Sequence, residues 1–153
     1  MAPPVKHETP PDRFRLTNGE HVLEMDLLSI ETDAALPSYG DAVLWIHVAS
    51  HGYTGQSKTW VFREALSNFC SSLLQLERTL KGEATLASIS PNKLALRVFA
   101  VSSRGHLAVE GSTGYHVHDS NRMYWHAVSF GFEFEPPQLS EALRRSWVTL
   151  RTG

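Results

Sequence analysis

The sequence predicts an α+β fold, in which a single domain combines a mostly antiparallel β-sheet with two amphipathic helices in the order strands, helix, strands, helix. Two stretches place apolar residues at three- and four-residue spacing, which is the pattern of a helix with one buried face. Elsewhere, apolar and polar residues alternate in runs that short turn sequences separate, as in β-hairpins. Because links of this length join antiparallel neighbours, the pattern indicates the α+β class.

The composition is that of a folded protein of ordinary surface charge. The chain has 153 residues, of which 42% are hydrophobic and 20% charged, and this length suits one domain. Fourteen Lys and Arg residues against sixteen Asp and Glu residues give a net charge of −2, too weak a field to attract nucleic acid or anionic lipid. No apolar run reaches the ~18 residues that span a bilayer. We therefore expect neither a nucleic-acid partner nor a membrane partner.

The amino-terminal segment is rich in proline and lacks the apolar stretch of a secretory signal. We predict a disordered tail over residues 1–12, followed by a single domain over residues 13–153. The one cysteine, Cys70, falls on the apolar face of a predicted helix, where a free thiol behaves as a small hydrophobic group. A cytoplasmic location fits this cysteine usage.

The first predicted hairpin turns at Asn18-Gly19, a dipeptide that tolerates the positive φ angles of a tight turn. Residues 31–41 contain proline, glycine and small polar residues and are predicted to form a loop. Residues 42–49 are apolar in both phases, which predicts a central strand covered on both faces. Gly52 and Gly55 then indicate a bend or bulge. A short strand is expected after them, at residues 58–61.

The first helix is predicted over Phe62–Lys81, with Gly82 as the left-handed residue that ends it. Its apolar stripe consists of Leu66, Phe69, Cys70, Leu73, Leu76 and Leu80. Glu77 lies within this stripe, where an unpaired carboxylate would cost on the order of several kcal/mol. It could be a general base in a cleft, but we favour a structural ion pair with Arg97 or an escape to the helix edge.

Three further strands follow, at residues 84–89, 94–101 and 106–110. Residues 111–122 are polar, with two glycines and no apolar period, so they are predicted to form a long loop of the kind that is often functional or mobile. Strict alternation over residues 124–134 predicts a strand with one aromatic face against the core, and His126 as a core histidine. A second amphipathic helix follows Pro136 and Pro137.

The predicted loop over residues 111–122 also holds the closest pair of histidines, His116 and His118. In an extended segment these two side chains share a face roughly 7 Å apart, from which they could converge on one metal ion with Asp119 or a distant histidine as a third ligand. We favour a solvated polar loop instead. We therefore expect no metal and no cofactor.

Several aromatic side chains lie near predicted loops or opposite the apolar phase of their strand. Tyr and Trp are common anchors of protein interfaces, so these residues are candidate partner contacts, although they could instead cap the core at strand ends. With the polar residues of the loop, the candidate partner-binding residues are Tyr53, Trp60, Tyr115, His116, His118, Asp119, Arg122 and Trp125.

Residues 60–84, 94–98, 104–111 and 129–139 together resemble the WapI-like immunity proteins of bacterial contact-dependent toxin systems and related uncharacterised small domains. The resemblance spans roughly residues 22–150 and consists of fold and turn patterns, without catalytic residues. It implies a cytoplasmic, non-enzymatic protein that binds and blocks a cognate toxin. The proline-rich tail and residues 113–123 lie outside the pattern, and the near-neutral charge lacks the acidity expected of a protein that blocks a basic nuclease.

Three hypotheses for function follow. The first is a non-enzymatic protein-binding module of the immunity type, which predicts an exposed aromatic and polar patch. The second is a small-molecule or metal-dependent enzyme, which predicts that His116, His118 and Glu77 converge on one cleft at the 111–122 loop. The third is an uncharacterised structural or interaction domain. The sequence leaves open whether the protein forms a homo-oligomer.

Overall fold

The computed structural model describes residues 13–144 and 146–151. The tail predicted over residues 1–12 lies outside this range. The elements are β1 (Phe14–Asn18), β2 (His21–Ile30), β3 (Ala42–Ser50), β4 (Tyr53–Val61), α1 (Arg63–Thr79), β5 (Glu83–Ala87), β6 (Leu94–Ala100), β7 (Leu107–Asp119), β8 (Arg122–Phe134), α2 (Pro136–Arg144) and a 3₁₀ helix (Trp147–Arg151). The α+β class and the order strands, helix, strands, helix are thus confirmed. None of the described helices is long and apolar enough to cross a membrane.

The strands form two antiparallel sheets of four strands each, rather than one sheet. The first sheet has the order β1-β2-β3-β4 and the second sheet the order β5-β6-β7-β8, so that within each sheet consecutive strands are paired. α1 lies between the two sheets in the chain. The predicted hairpin at Asn18-Gly19 is confirmed, since β1 ends at Asn18 and Gly19 has a φ of 61°.

The turn between β3 and β4 is tighter than the glycine pattern predicts. His51 and Gly52 both have positive φ, 51° and 83°, as in a two-residue hairpin turn whose twist matches the strands. β4 therefore begins at Tyr53 and runs for nine residues. The strand predicted at residues 58–61 is confirmed but begins earlier than predicted, and Gly55 lies within it without the predicted bend. The early start was missed because the turn lacks the usual Asn-Gly or Asp-Gly signature.

β3 is an internal strand, but it packs against the core on one face only. Its fully buried side chains are Ala42, Leu44, Ile46 and Val48. Trp45 and His47 point to the opposite, half-buried face, so the prediction of a strand covered on both faces is wrong. Trp45 is tolerated there because the guanidinium of Arg13 lies over its ring, 4.9 Å from the ring centroid.

α1 supplies one wall of a single buried cluster that both sheets and all helices share. Its buried side chains are Leu66, Phe69, Cys70, Leu73 and Leu76. The helix ends with Leu80 in the left-handed conformation, at a φ of 55°, and the Leu80 N–H donates to the Leu76 carbonyl at 2.8 Å. The predicted end at Gly82 is wrong, because packing of Leu80 against the core offsets the cost of a left-handed leucine.

The carboxyl-terminal helices close the core. α2 buries Leu139, Ala142 and Leu143, which confirms the second amphipathic stripe. The 3₁₀ helix buries Trp147, whose indole Nε1–H donates to the Met25 carbonyl at 3.0 Å. A buried indole needs such an acceptor, and this bond ties the end of the domain to β2.

The long loop predicted over residues 111–122 does not exist. β7 and β8 form one continuous hairpin whose register runs from the pair Leu107 and Phe134 to the pair Asp119 and Arg122. Only residues 120–121 make the turn. The apolar period is missing because residues 115–122 are exposed on both faces of the hairpin and the buried positions just before them are Thr113 and Gly114. The alternation that usually reveals a strand therefore has no cause here.

The aromatic face predicted for β8 is buried along only half of its length. Val128, Phe132 and Phe134 lie in the core, whereas Tyr124 and His126 are exposed. The prediction that His126 is a core histidine is therefore wrong. The alternation is real, but the strand extends past the sheet that would cover its far half.

Candidate functional site

The distal half of the β7–β8 hairpin projects from the body of the protein. β6 pairs with β7 no further than Thr113, and beyond that point β7 and β8 pair only with each other. We call residues 114–127 the hairpin arm. Its large side chains are close to half exposed, as Met123 at 54% and Tyr124 at 47% illustrate.

Both faces of the hairpin arm carry aromatic side chains. One face presents Tyr115 with its cross-strand neighbour His126, their ring centroids 5.8 Å apart. The other face presents His116 with Trp125, at 4.7 Å. Cross-strand aromatic pairs on both faces are not expected of a polar hairpin that is surrounded by water. Their presence gives the arm the composition of a contact surface.

The ring of Trp125 lies across the backbone of Gly114. A Cβ added to Gly114 would come 2.5 Å from Cζ2 of Trp125 and 2.6 Å from the carbonyl oxygen of His126. Real Cβ atoms do not approach so closely, so only glycine fits beneath this ring. The position of Trp125 therefore depends on Gly114.

A groove of about 780 Å³ lies beside the point where the base of the hairpin arm meets the edge of the first sheet. Its walls mix aromatic, imidazole, amide and hydroxyl groups. The side chains that line it come from β3, β4 and the hairpin, and include His47, Thr54, Gln56, Tyr115, Trp125 and His126.

One wall of the groove is fixed by a charged cluster on the outer face of the first sheet. Glu24 accepts a hydrogen bond from Nδ1 of His47 at 3.0 Å, and Arg13 donates to Glu24 at 3.2 Å. Arg13 also donates two hydrogen bonds to the Asp26 carboxylate, of 2.7 and 2.8 Å. These bonds with Asp26, the main cause, and with Glu24 raise the pKa of Arg13 above its ordinary value. The cluster holds His47 in place beside the groove.

The structure brings most of the predicted partner contacts together on one feature. The hairpin arm carries Tyr115, His116, His118, Asp119, Arg122 and Trp125. Tyr53 is 72% exposed and immediately precedes Thr54 at the groove. Trp60 lies at the other end of β4, roughly 24 Å away along the strand, and its carbonyl accepts a bond from Ile89. Trp60 is therefore separate from the arm.

Two of the arm's histidines, His116 and His118, lie on one face without an acidic neighbour. His116 stands opposite Trp125 and His118 opposite Met123, while Asp119 points to the other face. Within residues 13–144 and 146–151, no three His, Cys, Asp or Glu side chains are grouped closely enough to hold a metal ion. His116 and His118 therefore belong to no three-ligand metal site within these residues.

The predicted ion pair between Glu77 and Arg97 is wrong. Arg97 instead bonds to Glu83 and, at 3.3 Å, to Glu110, and these bonds, chiefly the one to Glu83, raise its pKa. Arg97 is exposed on the outer face of the second sheet, whereas the alternate residues of β6 are buried toward α1 and the core. A side chain on the outer face cannot reach the half-buried Glu77 on α1.

Sequence reasoning missed the part of the groove that the first sheet supplies. His47, Thr54 and Gln56 face outward from strands that were predicted to be fully covered or irregular, and His126 was assigned to the core. The one available signal was the wet phase of β4, in which polar side chains recur at every second position. Comparison with known proteins found no matching family model, curated protein or solved structure.

Proposed function

We propose that the protein is a non-enzymatic binding module that uses the hairpin arm to contact a partner protein. The single observation that carries this proposal is the exposure of aromatic side chains on both faces of the arm. Single exposed apolar residues are ordinary, but a contiguous set on a projecting element marks interaction surfaces. An isolated two-stranded hairpin is at best marginally stable in water, so a partner that covers the arm would also stabilise it.

The energetic scale supports a protein partner. Tyr124 and Trp125 are 47% and 40% exposed, and full burial of such side chains removes roughly 150–250 Å² each from water. Covering the exposed part of both would contribute about 3–5 kcal/mol before the cost of ordering the interface. Asp119 and Arg122, beside the turn, would form the polar rim around these anchors.

We further propose that the partner is a bacterial toxin and that the protein acts as its cytoplasmic immunity protein. The support is the resemblance of its strand and helix sequences to WapI-like immunity proteins. With a net charge of −2, the protein would recognise the toxin by aromatic contact more than by charge, so a strongly basic nuclease surface is a poor fit.

Co-expression with the toxin of a neighbouring gene tests both parts. The double variant Tyr124→Ala/Trp125→Ala should lose protection and pull-down, because it removes the aromatic anchors without touching the core. Phe62→Ala is the matched control, since Phe62 is an equally exposed aromatic residue just before α1. Equal protection by the double variant would exclude the arm as the contact surface. Equal killing with and without the protein would exclude the immunity role.

The groove favours a second candidate, a small-molecule or metal-dependent enzyme. Its volume of about 780 Å³ lies in the range of ligand sites, and it is lined by His47 and His126. Elemental analysis of the purified protein separates the candidates. Stoichiometric zinc that is lost in a His47→Ala/His126→Ala variant would favour the enzyme, whereas metal-free protein that still binds a toxin would exclude a metal-dependent one.

A further inference from the structure

The outer edge of β8 is the edge of the second sheet, and the backbone groups along it point away from β7. The Glu133 carbonyl accepts a hydrogen bond at this edge from Nδ2 of Asn18, at 2.7 Å. On the opposite side of the hairpin, the Gly114 N–H bonds outward to Lys93, and Gly114 pairs with Ala127. Because outward-pointing residues alternate along a strand, the odd-numbered residues of β8 direct their N–H and C=O groups to the outer edge.

This edge is open over nine residues. Between Met123 and Gly131, no outward backbone hydrogen bond to another described residue is found. The open stretch ends where the Asn18 side chain occupies the Glu133 carbonyl. Over this length, β8 therefore presents a row of backbone N–H and C=O groups that are not used in hydrogen bonds to other described residues.

The open edge also lacks the usual protection against pairing. Natural sheets guard their edges with charged side chains, proline, bulges or a covering element. Residues 123–131 read Met-Tyr-Trp-His-Ala-Val-Ser-Phe-Gly, with no Lys, Arg, Asp, Glu or Pro. β5, the other edge of the same sheet, in contrast carries Glu83, which is paired with Arg97. The absence of these protective residues from β8 indicates that its edge pairs with another strand.

We propose that this edge pairs with the same edge of a second copy of the chain, antiparallel and about a two-fold axis at Ala127. Antiparallel hydrogen-bonded pairs must join two outward-pointing residues, so odd-numbered residues face odd-numbered residues. Centring the pairing on Ala127 uses the whole open edge. Trp125 then faces Ser129 of the second copy, and Met123 faces Gly131.

The sequence of the edge suits a second copy of itself. In this register a large side chain stands opposite a small one on one face, and Tyr124 stands opposite Phe130 on the other. No like charges oppose each other, because the stretch has no charged side chain. The five hydrogen-bonded residue positions on each strand would make roughly ten backbone bonds, in the isologous two-fold arrangement that is commonest among oligomers.

This self-pairing goes beyond the proposed binding of a toxin and does not depend on it. It uses the backbone edge of β8 and joins the two second sheets into one eight-stranded sheet. Failure of one proposal therefore leaves the other to its own test, which measures mass in one case and toxin protection in the other.

The test exploits the position of Ala127 opposite itself. Ala127→Lys places two ammonium groups at the axis, and Ala127→Glu places two carboxylates there, so each variant alone should sediment at the monomer mass of 17.1 kDa while the wild type sediments at twice that mass. An equimolar mixture of the two variants should recover the dimer, since Lys then faces Glu. Ala87→Lys is the matched control on the other edge strand and should stay dimeric.

Each result bears directly on the proposal. Circular dichroism melts of the variants verify folding, and the mixture experiment gives a second readout if one variant is less stable. A wild-type protein that stays monomeric at every concentration would overturn the proposal. A strand of another protein would then be the candidate partner of this edge. Variants that remain dimeric, or a mixture that remains monomeric, would equally overturn it.

Discussion

Val128 of β8 packs directly onto Gly55 of β4: a Cβ built at Gly55 would lie 2.8 Å from Cγ1 of Val128. At this contact the base of the hairpin arm crosses the edge of the first sheet. The two sheets can approach so closely only because β4 has no side chain at this position.

Replacing Gly55 with valine should therefore push the sheets apart. Because the added methyl groups must displace the buried Val128, we expect a loss of about 1–3 kcal/mol in the free energy of unfolding, measured by urea denaturation. Gln56→Val, one residue along on the exposed face, should change it by less than about 0.5 kcal/mol. Equal effects at the two positions would show that the contact is not tight.

A buried pair of hydroxyl groups joins the sheets next to this contact. Ser57 on β4 and Thr113 on β7 are hydrogen-bonded to each other, and Thr113 also donates to the Lys93 carbonyl at 2.9 Å. Thr113→Val should cost about 1–3 kcal/mol, because it leaves buried polar groups without partners. The double variant Ser57→Ala/Thr113→Val should cost less than the sum of the single variants. Strict additivity in that denaturation cycle would argue against the bond.

Trp147 gives a second buried polar bond with a measurable consequence. Trp147→Phe keeps most of the apolar volume but removes the donor to the Met25 carbonyl, so we expect a loss of about 1–3 kcal/mol in thermal or urea unfolding. Trp60→Phe is the control, since the Trp60 side chain is exposed, and should be nearly neutral. A neutral Trp147→Phe would contradict the assigned bond.

Arg13 should stabilise the protein without making its stability depend on pH near neutrality. A group whose pKa is raised on folding contributes stability that is fully present below its unfolded pKa and is lost only as pH rises through the folded pKa. For Arg13 both values are strongly alkaline. Arg13→Lys, which loses the two-point grip on Asp26, should therefore cost about 0.5–2 kcal/mol, equally at pH 6 and pH 9.

Arg15→Lys is the matched control for this measurement. Arg15 is more exposed and lies 3.5 Å from Glu24, so its replacement should change the free energy of unfolding by less than about 0.5 kcal/mol. A difference between wild type and Arg13→Lys that grows or vanishes between the two pH values would mean that another titrating group controls the cluster.

The elements that pack on the core were predictable from sequence, and the elements that do not were missed. The stripe of α1 and the alternation of β2 follow from burial of one face, which leaves a period in the sequence. The hairpin arm is exposed on both faces, so it leaves no such period and resembles a loop. The turn at His51 was hidden because it lacks the usual Asn-Gly or Asp-Gly signature. The left-handed Leu80 was hidden because packing against the core, and not residue preference, accounts for its backbone conformation.

The candidate site was predictable in part for the same reason. Tyr115 and Trp125 could be predicted as contact residues because they lie in a polar stretch, where burial in a core does not account for aromatic side chains. The hydrogen-bond partners of Arg97 could not be predicted, because they depend on which face of β6 Arg97 occupies and on which strand lies beside β6. The groove needed the crossing of β4 and the hairpin, a relationship between residues more than fifty positions apart that local patterns do not encode.

The β7–β8 hairpin spans two environments with one unbroken register. Near Val109 and Phe132 its amide hydrogens should exchange with deuterium only through large-scale unfolding, because both residues lie in the core. Around Val117 and Tyr124 the same ladder is open to water, so local fraying should release those hydrogens far sooner. The slowly exchanging inner half of the hairpin thus serves as a reference for the outer half. Slower amide exchange that is confined to the outer half would show that a partner has covered the arm.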